Sequence, residues 1–395
     1  MTDIIAPEAQ TSNWTQLSYF RVFVHNDGDL NNGRYPLFSN NRQQLTVTVR
    51  LIARDASGNL APISSSDLNS IRLIDYTTSE VLEFENNSTP WLPSLYDFGW
   101  DWDRDILTSV RSMRLKHSEL FESDTPETDS SEDWAPASKT MDDDRCPNGY
   151  QCFRFYISTS SNKPRRLAAR IKNSAGTIFR TNYNDIEDPT GEGDKNGRFN
   201  SSFSVDPVSF PRLSSEYYGD RQANGSGHLK DLRVVSNYGD NRAYEHHVNI
   251  RLPNGKMIPI KYIKDPIAFT PRMVWANTGS DKQKTAFSFI GHPGETLLRM
   301  QSLIHTLGVG NQRQSIHSMV DALYDNNATI KNPRTGQVVI GQIILPGKYW
   351  FYDITGAQVA NTMQRDLTVV DIYGNIHELR YGMTSALNNL TLDRI

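Results

Sequence analysis

Leu45-Thr46-Val47-Thr48-Val49-Arg50-Leu51 runs on into Asp55-Ala56-Ser57-Gly58-Asn59. Leu45, Val47, Val49 and Leu51 fall on one side of an extended chain, and Thr46, Thr48 and Arg50 on the other. A period of two describes a strand with one buried face, as in a half-solvated antiparallel sheet. Asp55 to Asn59 ends that strand as a turn in which Gly58 supplies the positive φ.

Working outward, the same rhythm recurs. Phe20, Val22 and Val24 share a face within Leu17 to Asn26, and Ile71 to Tyr76 and Glu80 to Phe84 read as further strands. Strands resume at Cys152 to Ser158, Leu167 to Lys172 and Thr177 to Arg180, with an Asn173-Ser174-Ala175-Gly176 turn before the last. Short strands separated by Gly-containing turns indicate a β-sandwich.

Tyr35-Pro36-Leu37-Phe38-Ser39-Asn40-Asn41-Arg42-Gln43-Gln44, then Leu45 to Arg50, then Asp55 to Asn59, resembles the opening of bacterial immunoglobulin-like repeats. Those repeats occur in invasin- and intimin-type adhesins and run from a small polar turn through a Val/Thr strand to Asp-x-x-Gly-Asn. The resemblance covers the N-terminal segment alone and implies an immunoglobulin-like β-sandwich. No counterpart of those adhesins' leader and membrane barrel is expected here, so the resemblance implies a fold and not an adhesin's role.

The C-terminal half is mixed. Leu229 to Ser236, Tyr244 to Leu252 and Lys256 to Ile263 read as strands, with a Pro253-Asn254-Gly255 hairpin turn. Leu297, Met300, Ile304 and Leu307 then recur at helical spacing before Gly308, and Ile316, Met319, Val320, Leu323 and Tyr324 do so again. The expectation is a helical hairpin with core-facing stripes. Gln337 to Leu345, Lys348 to Asp353, Leu367 to Ile372 and Ile376 to Arg380 return to strand. The fold class is therefore mainly β: immunoglobulin-like sandwich domains followed by an α+β C-terminal domain. The expected divisions are a sandwich at 14–90, an aromatic segment and acidic linker at 91–145, a second small β domain at 146–210, and the α+β domain at 211–395.

Composition bounds the function. The chain has 395 residues, 37 % of them hydrophobic and 10 % aromatic, enough to fold into more than one core. Net charge is −4, whereas nucleic-acid binders carry a basic excess. The densest basic spot, Lys163, Arg165 and Arg166 with Arg170, is small, and nucleic acid is not expected as a partner. No apolar run approaches the roughly 18 residues of a spanning helix. Met1 to Glu8 has neither the basic region nor the apolar run of a secretory signal. The expectation is a chain made in the cytosol without a cleaved leader, whose export would need a leaderless route. Acids from Glu122 to Asp144 read as a solvated linker, or as an acidic surface for a basic partner.

Four groups of residues bear on chemistry. Cys146 and Cys152 flank a Pro147-Asn148-Gly149 turn. Their spacing fits neither a zinc ribbon nor a redox Cys-x-x-Cys, which leaves a local disulfide or two free thiols. His246 and His247 are neighbours on a strand and point to opposite faces, so one is expected buried and the other exposed. Asp185, Glu187, Asp188 and Asp194 place oxygen ligands on a Gly-rich loop, as calcium needs, though without the order of an EF-hand. Calcium is the one cofactor the sequence suggests. Trp100-Asp101-Trp102-Asp103, with Trp91 upstream, combines aromatic faces with carboxylates, as carbohydrate sites do. Were Asp101 and Asp103 on a strand, they would share a face at roughly 7 Å, suited to an inverting pair. The alternative is packing tryptophans beside solvated acids.

The sequence contains no Gly-x-Ser-x-Gly elbow, no Walker loop and no dinucleotide fingerprint. Three functional readings follow. The first is a non-enzymatic binding or structural protein that self-associates into a homo-oligomer or engages a cell-surface glycan or protein. The second is a bacterial toxin or effector acting on a host surface, and the third a carbohydrate-active enzyme using Trp100 to Asp103.

Overall fold

The computed structural model describes residues 13–24, 33–86, 88–116, 146–186, 191–221, 228–230, 233–238, 241–264, 274–277, 284–296, 304–309, 312–315, 333–353 and 355–395. The chain divides into two compact units, residues 1–210 and 211–395. Both are mainly β and mainly antiparallel.

The first unit contains β1 (Gln16–Val24), β2 (Arg34–Phe38), β3 (Leu45–Arg54), α1 (Ser65–Leu68), β4 (Arg72–Asp75), β5 (Val81–Leu82) and β6 (Trp91–Ser94). Then follow α2 (Arg104–Lys116), β7 (Gln151–Thr159), β8 (Arg165–Lys172), β9 (Ile178–Arg180) and β10 (Phe203–Val208). One sheet runs β1-β3-β7-β6 and the other β2-β10-β8-β4-β5, with β9 on β8. A single apolar cluster draws Phe20, Val47, Val49 and Phe155 from the first sheet and Leu37, Leu73, Leu167 and Val205 from the second. This is a β-sandwich-like packing of two sheets. Each large apolar side chain so buried contributes about 1.5–3 kcal/mol.

Residues 14–90 and 146–210, expected as separate domains, interleave in this unit. Val47 of β3 faces Phe155 of β7, and Tyr35 of β2 runs parallel to Val205 of β10. Neither segment has a complete sheet of its own, so one core replaces two.

The second unit contains β11 (Arg233–Tyr238), β12 (Asn241–Val248), β13 (Ile250–Arg251), β14 (Met257–Ile258), β15 (Ile260–Lys264), β16 (Val274–Asn277) and β17 (Lys284–Gly291). It continues with β18 (Ile304–Val309), β19 (Gln312–Ser315), β20 (Val338–Pro346), β21 (Trp350–Asp353), β22 (Gln364–Asp371), β23 (Ile376–Met383) and β24 (Leu390–Arg394). Its sheets are β11-β12-β20-β17-β16, β15-β22-β23-β24, β19-β18-β21 and the pair β13-β14. Trp275, Phe287, Val339, Ile343 and Phe351 form its core, with the Trp275 and Phe351 rings 4.5 Å apart.

The end of the first expected helix is a strand. Ile304 and Leu307 lie on strand β18, between β19 and β21, and Leu307 is buried in the core. Gly308 is no helix stop: a Cβ there would overlap the Gln312 carbonyl, so glycine lets β18 and β19 close. Leu297, Met300 and the second stripe, Ile316 to Tyr324, lie outside the described residues. Among the described helices none is long and apolar enough to cross a membrane.

One turn recurs in both units. In 55–59, 173–177, 194–198, 353–357 and 371–375, the first residue, Asp or Asn, exchanges backbone bonds with the glycine and with the fifth residue. Its side-chain oxygen also accepts from the fifth residue's amide. The fourth residue takes φ near +84° at Gly58 and +85° at Gly374, which a Cβ disfavours.

Candidate functional site

Across β2, β10 and β8 the register places Arg34 opposite Ser204, and Ser204 opposite Arg166. Directly paired residues share a face. Phe203 and Val205 of β10 point into the core, so Ser204 and Asp206 point outward. Helix α2 covers part of that outer face, burying Ile106, Leu107, Val110 and Met113. The remainder is an open depression of about 520 Å³ lined by Arg34, Pro164, Arg165, Arg166, Ser204 and Asp206.

Its electrostatics are layered. The Asp206 side chain is 6 % exposed and lies between two arginines: Arg34 Nη2 donates to Oδ1 at 3.0 Å, and Arg111 Nη1 from α2 to Oδ2 at 3.1 Å. Arg34 itself is 66 % exposed. The hydrogen bond to Asp206 raises the Arg34 pKa above its ordinary value, so the guanidinium is charged throughout. Arg166 is fixed in plane: its guanidinium lies 3.6 Å from the Tyr76 ring centroid, and Nε donates to Ser202 Oγ at 2.8 Å. Arg165 is held by Asp75 and Glu80. Two pre-oriented guanidinium groups flanking a serine across an open floor suit an anion.

The structure uses the sequence-derived candidates differently. Trp91 lies in the core on β6, and Trp100 is also buried. Trp102 packs against the same core and donates its indole N–H to Pro36 O at 2.8 Å. Asp101 is exposed, while its carbonyl accepts from Gln43. Asp103 is not on a strand: its carboxylate accepts from the amides of Asp105 and Ile106 and caps α2. The expected pair of carboxylates on one strand face is therefore replaced by a helix cap beside packed tryptophans.

In the loop expected for calcium, Asp185 and Asp194 do converge, but on Arg198, which bonds both carboxylates. Asp194 also accepts from the Arg198 and Asn196 amides. The Arg198 amide, acting with these other bonds and against burial, lowers its pKa. Glu187 and Asp188 lie outside the described residues. Among the described residues no cluster of three or more His, Cys, Asp or Glu is placed to hold a metal.

Cys146 and Cys152 form a disulfide, which decides between the bond and free thiols. The loop it closes sets the Tyr150 ring edge-on to Tyr19 at 4.9 Å. His246 and His247 are both buried, correcting the expectation of one exposed ring. His246 Nε2 meets Gln342 Oε1 at 3.1 Å, and His247 Nδ1 meets Gln337 Oε1 at 3.3 Å. Both faces of this sheet are covered, as the almost wholly buried β20 shows.

Arg165 and Arg166 stand out in the sequence as a basic spot, but the site itself does not. Arg34, Arg166 and Ser204 are far apart in the chain, and only the parallel β2–β10 pair and the β10–β8 pair align them. No protein-family model and no curated protein sequence matches the chain.

Proposed function

We propose that this chain is a non-enzymatic binding protein whose first unit recognises an anionic group on a partner surface. The alignment of Arg34, Ser204 and Arg166 across three strands carries the reading. The neighbouring chemistry supports it: the carboxylate of Asp103 serves a helix cap, and Asp185 and Asp194 bind Arg198. A shallow charged site binds weakly alone, and self-association of the chain would multiply it through avidity.

At β1, β6, β16 and β24 such assembly would run through faces rather than added strands. β1 is bonded by Gly191, β6 by Glu85, β16 by Thr362 and β24 by Leu229, so these edges are occupied.

The test is binding of the full chain to a panel of immobilised polyanions and neutral polymers at increasing salt, with light scattering on the same sample. Salt-sensitive retention on polyanions that Arg34→Glu abolishes is expected. Equal retention on neutral polymers, or an unchanged Arg34→Glu variant, would overturn the reading.

A further inference from the structure

We infer that the depression takes the carboxylate of an acidic sugar, with Arg166 and Arg34 as its two clamps and Ser204 on the floor between them; this rests on the anion-binding reading above.

The first step is the shape of the anion. The cations lining the depression are arginines: Arg34, Arg165 and Arg166. A guanidinium offers parallel N–H donors in one plane, which match the two coplanar oxygens of a carboxylate, whereas a lysine would offer a point charge without that fork. The plane of Arg166 is set in advance by the Tyr76 ring beneath it and by the bond to Ser202. Tyr76 is itself tied down by its hydroxyl, which donates to Asn200 Oδ1 at 2.9 Å. Asp206 shows the pairing at work, a carboxylate held between Arg34 and Arg111.

The second step is its charge. Asp206 lies under the same outer face and shares Arg34 with any incoming ligand. A dianion there meets more repulsion than a single carboxylate does.

The third step is what carries the carboxylate. An extended acidic peptide gains affinity by adding a strand to a free edge. Beside this depression the edge of β2 is taken: Arg34 O accepts from Arg104, Pro36 O from Trp102, and the Phe38 amide donates to Gln43 Oε1. Pro36 has no N–H to offer. The floor is open and hydroxyl-bearing, with Pro164 as an apolar shoulder, and its volume lies within the range of small-ligand sites. A sugar ring, with hydroxyls around an apolar face, fits such a floor better than a peptide chain.

The experiment is titration of the full chain by calorimetry with four oligomers: an oligogalacturonate, its carboxyl-reduced neutral form, a sulfated neutral oligosaccharide of equal charge, and oligoglutamate. Binding of the oligogalacturonate and none of the reduced form is expected. Arg166→Lys keeps the charge and loses the planar fork, and Arg34→Gln removes an exposed clamp; each weakens binding by about tenfold or more. Thermal melts confirm folding, and Arg34→Gln carries the test if Arg166→Lys unfolds. Equal binding by Arg166→Lys, or by the sulfated oligomer or oligoglutamate, overturns the sugar carboxylate while leaving anion binding in place. Silence from all three anionic oligomers sinks both readings.

Discussion

The indole Nε1 of Trp102 donates to the carbonyl of Pro36 at 2.8 Å. A residue with the look of a sugar platform thereby closes the edge of strand β2. The ring packs against the core of the first unit while its N–H satisfies a carbonyl that the edge would leave to solvent or to another chain. Trp102→Phe keeps most of the packing and removes the donor. The expected cost is about 1 kcal/mol, a fall of about 2–4 °C in the midpoint for a unit of this size. Calorimetric melting checks it, and light scattering should show more self-association in the variant. A midpoint equal to the parent's would mean that water replaces the indole at no cost.

The disulfide closes a short loop at the start of β7, and the Cys146–Cys152 bond is the one covalent cross-link among the described residues. Chain entropy over so few residues gives about 2 kcal/mol of stabilisation. Reduction, or the Cys146→Ser/Cys152→Ser double variant, should lower the midpoint of the first unit while leaving its far-ultraviolet spectrum β-rich. Mass spectrometry with and without reductant identifies the species melted. If the reduced and oxidised chains melt together, the loop contributes nothing that Tyr150 packing on Tyr19 does not supply alone.

Legibility in the sequence follows the range of the interactions. Leu45, Val47, Val49 and Leu51 are all buried as their alternation requires, because a half-buried strand imposes its period locally. The Asp55–Asn59 turn was equally readable, since its side-chain and backbone bonds lie within five residues. What failed was non-local. Nothing in Arg34 to Phe38 announces a parallel partner at Ser204 to Val208, and nothing in His246-His247 announces that both faces of the sheet are covered. The apolar spacing up to Leu307 matched a helix, yet Gly308 and the pairing with β19 and β21 made it a strand. The arginine site was invisible for the same reason: its residues become neighbours only through register.

His246 gives the second unit an acid sensitivity of definite sign. Burial pushes its pKa down to about 4, against hydrogen bonds that the ring donates to Gln342 and to the Lys230 backbone and that favour the proton. The native ring is therefore neutral. Above the ordinary value of about 6.5 the unfolded ring is neutral too, and the group has no effect. Between that value and about 4 the unfolded chain takes up a proton that the native chain does not, so stability falls as pH falls. Below the native value the loss is complete, about 3 kcal/mol. His247, whose pKa burial also lowers, adds in the same direction. His246→Gln should flatten the unfolding midpoint plotted from about pH 7.5 to pH 4. Parallel profiles for variant and parent would assign the acid sensitivity to another group.

Asp371 opens the same kind of turn as Asp55, but it is fully buried and has drawn a network around itself. Its Oδ1 accepts from the amides of Tyr373 and Asn375, and its Oδ2 from Asn375 Nδ2 at 3.0 Å and from His377 Nε2 at 3.2 Å. A carboxylate only accepts, so Nε2 of His377 donates to it, and Nδ1 pairs with the Tyr218 hydroxyl at 3.1 Å. The chain Tyr218–His377–Asp371 thus ties the segment before β11 to the β22–β23 hairpin through groups that water does not reach. Asp371→Asn turns one acceptor into a donor facing N–H groups, and the buried network cannot rotate away from the clash. We expect a loss of about 2–4 kcal/mol. Tyr218→Phe leaves only the imidazole Nδ1 without its hydroxyl partner, and about 1 kcal/mol is expected. Asp55→Asn is the control: the same turn, partly solvated, retains an amide oxygen for Ser57 and Asn59 and should shift the midpoint far less. Urea unfolding of the three variants ranks them. Should Asp55→Asn cost as much as Asp371→Asn, the turn itself and not the buried network would be what the carboxylate stabilises.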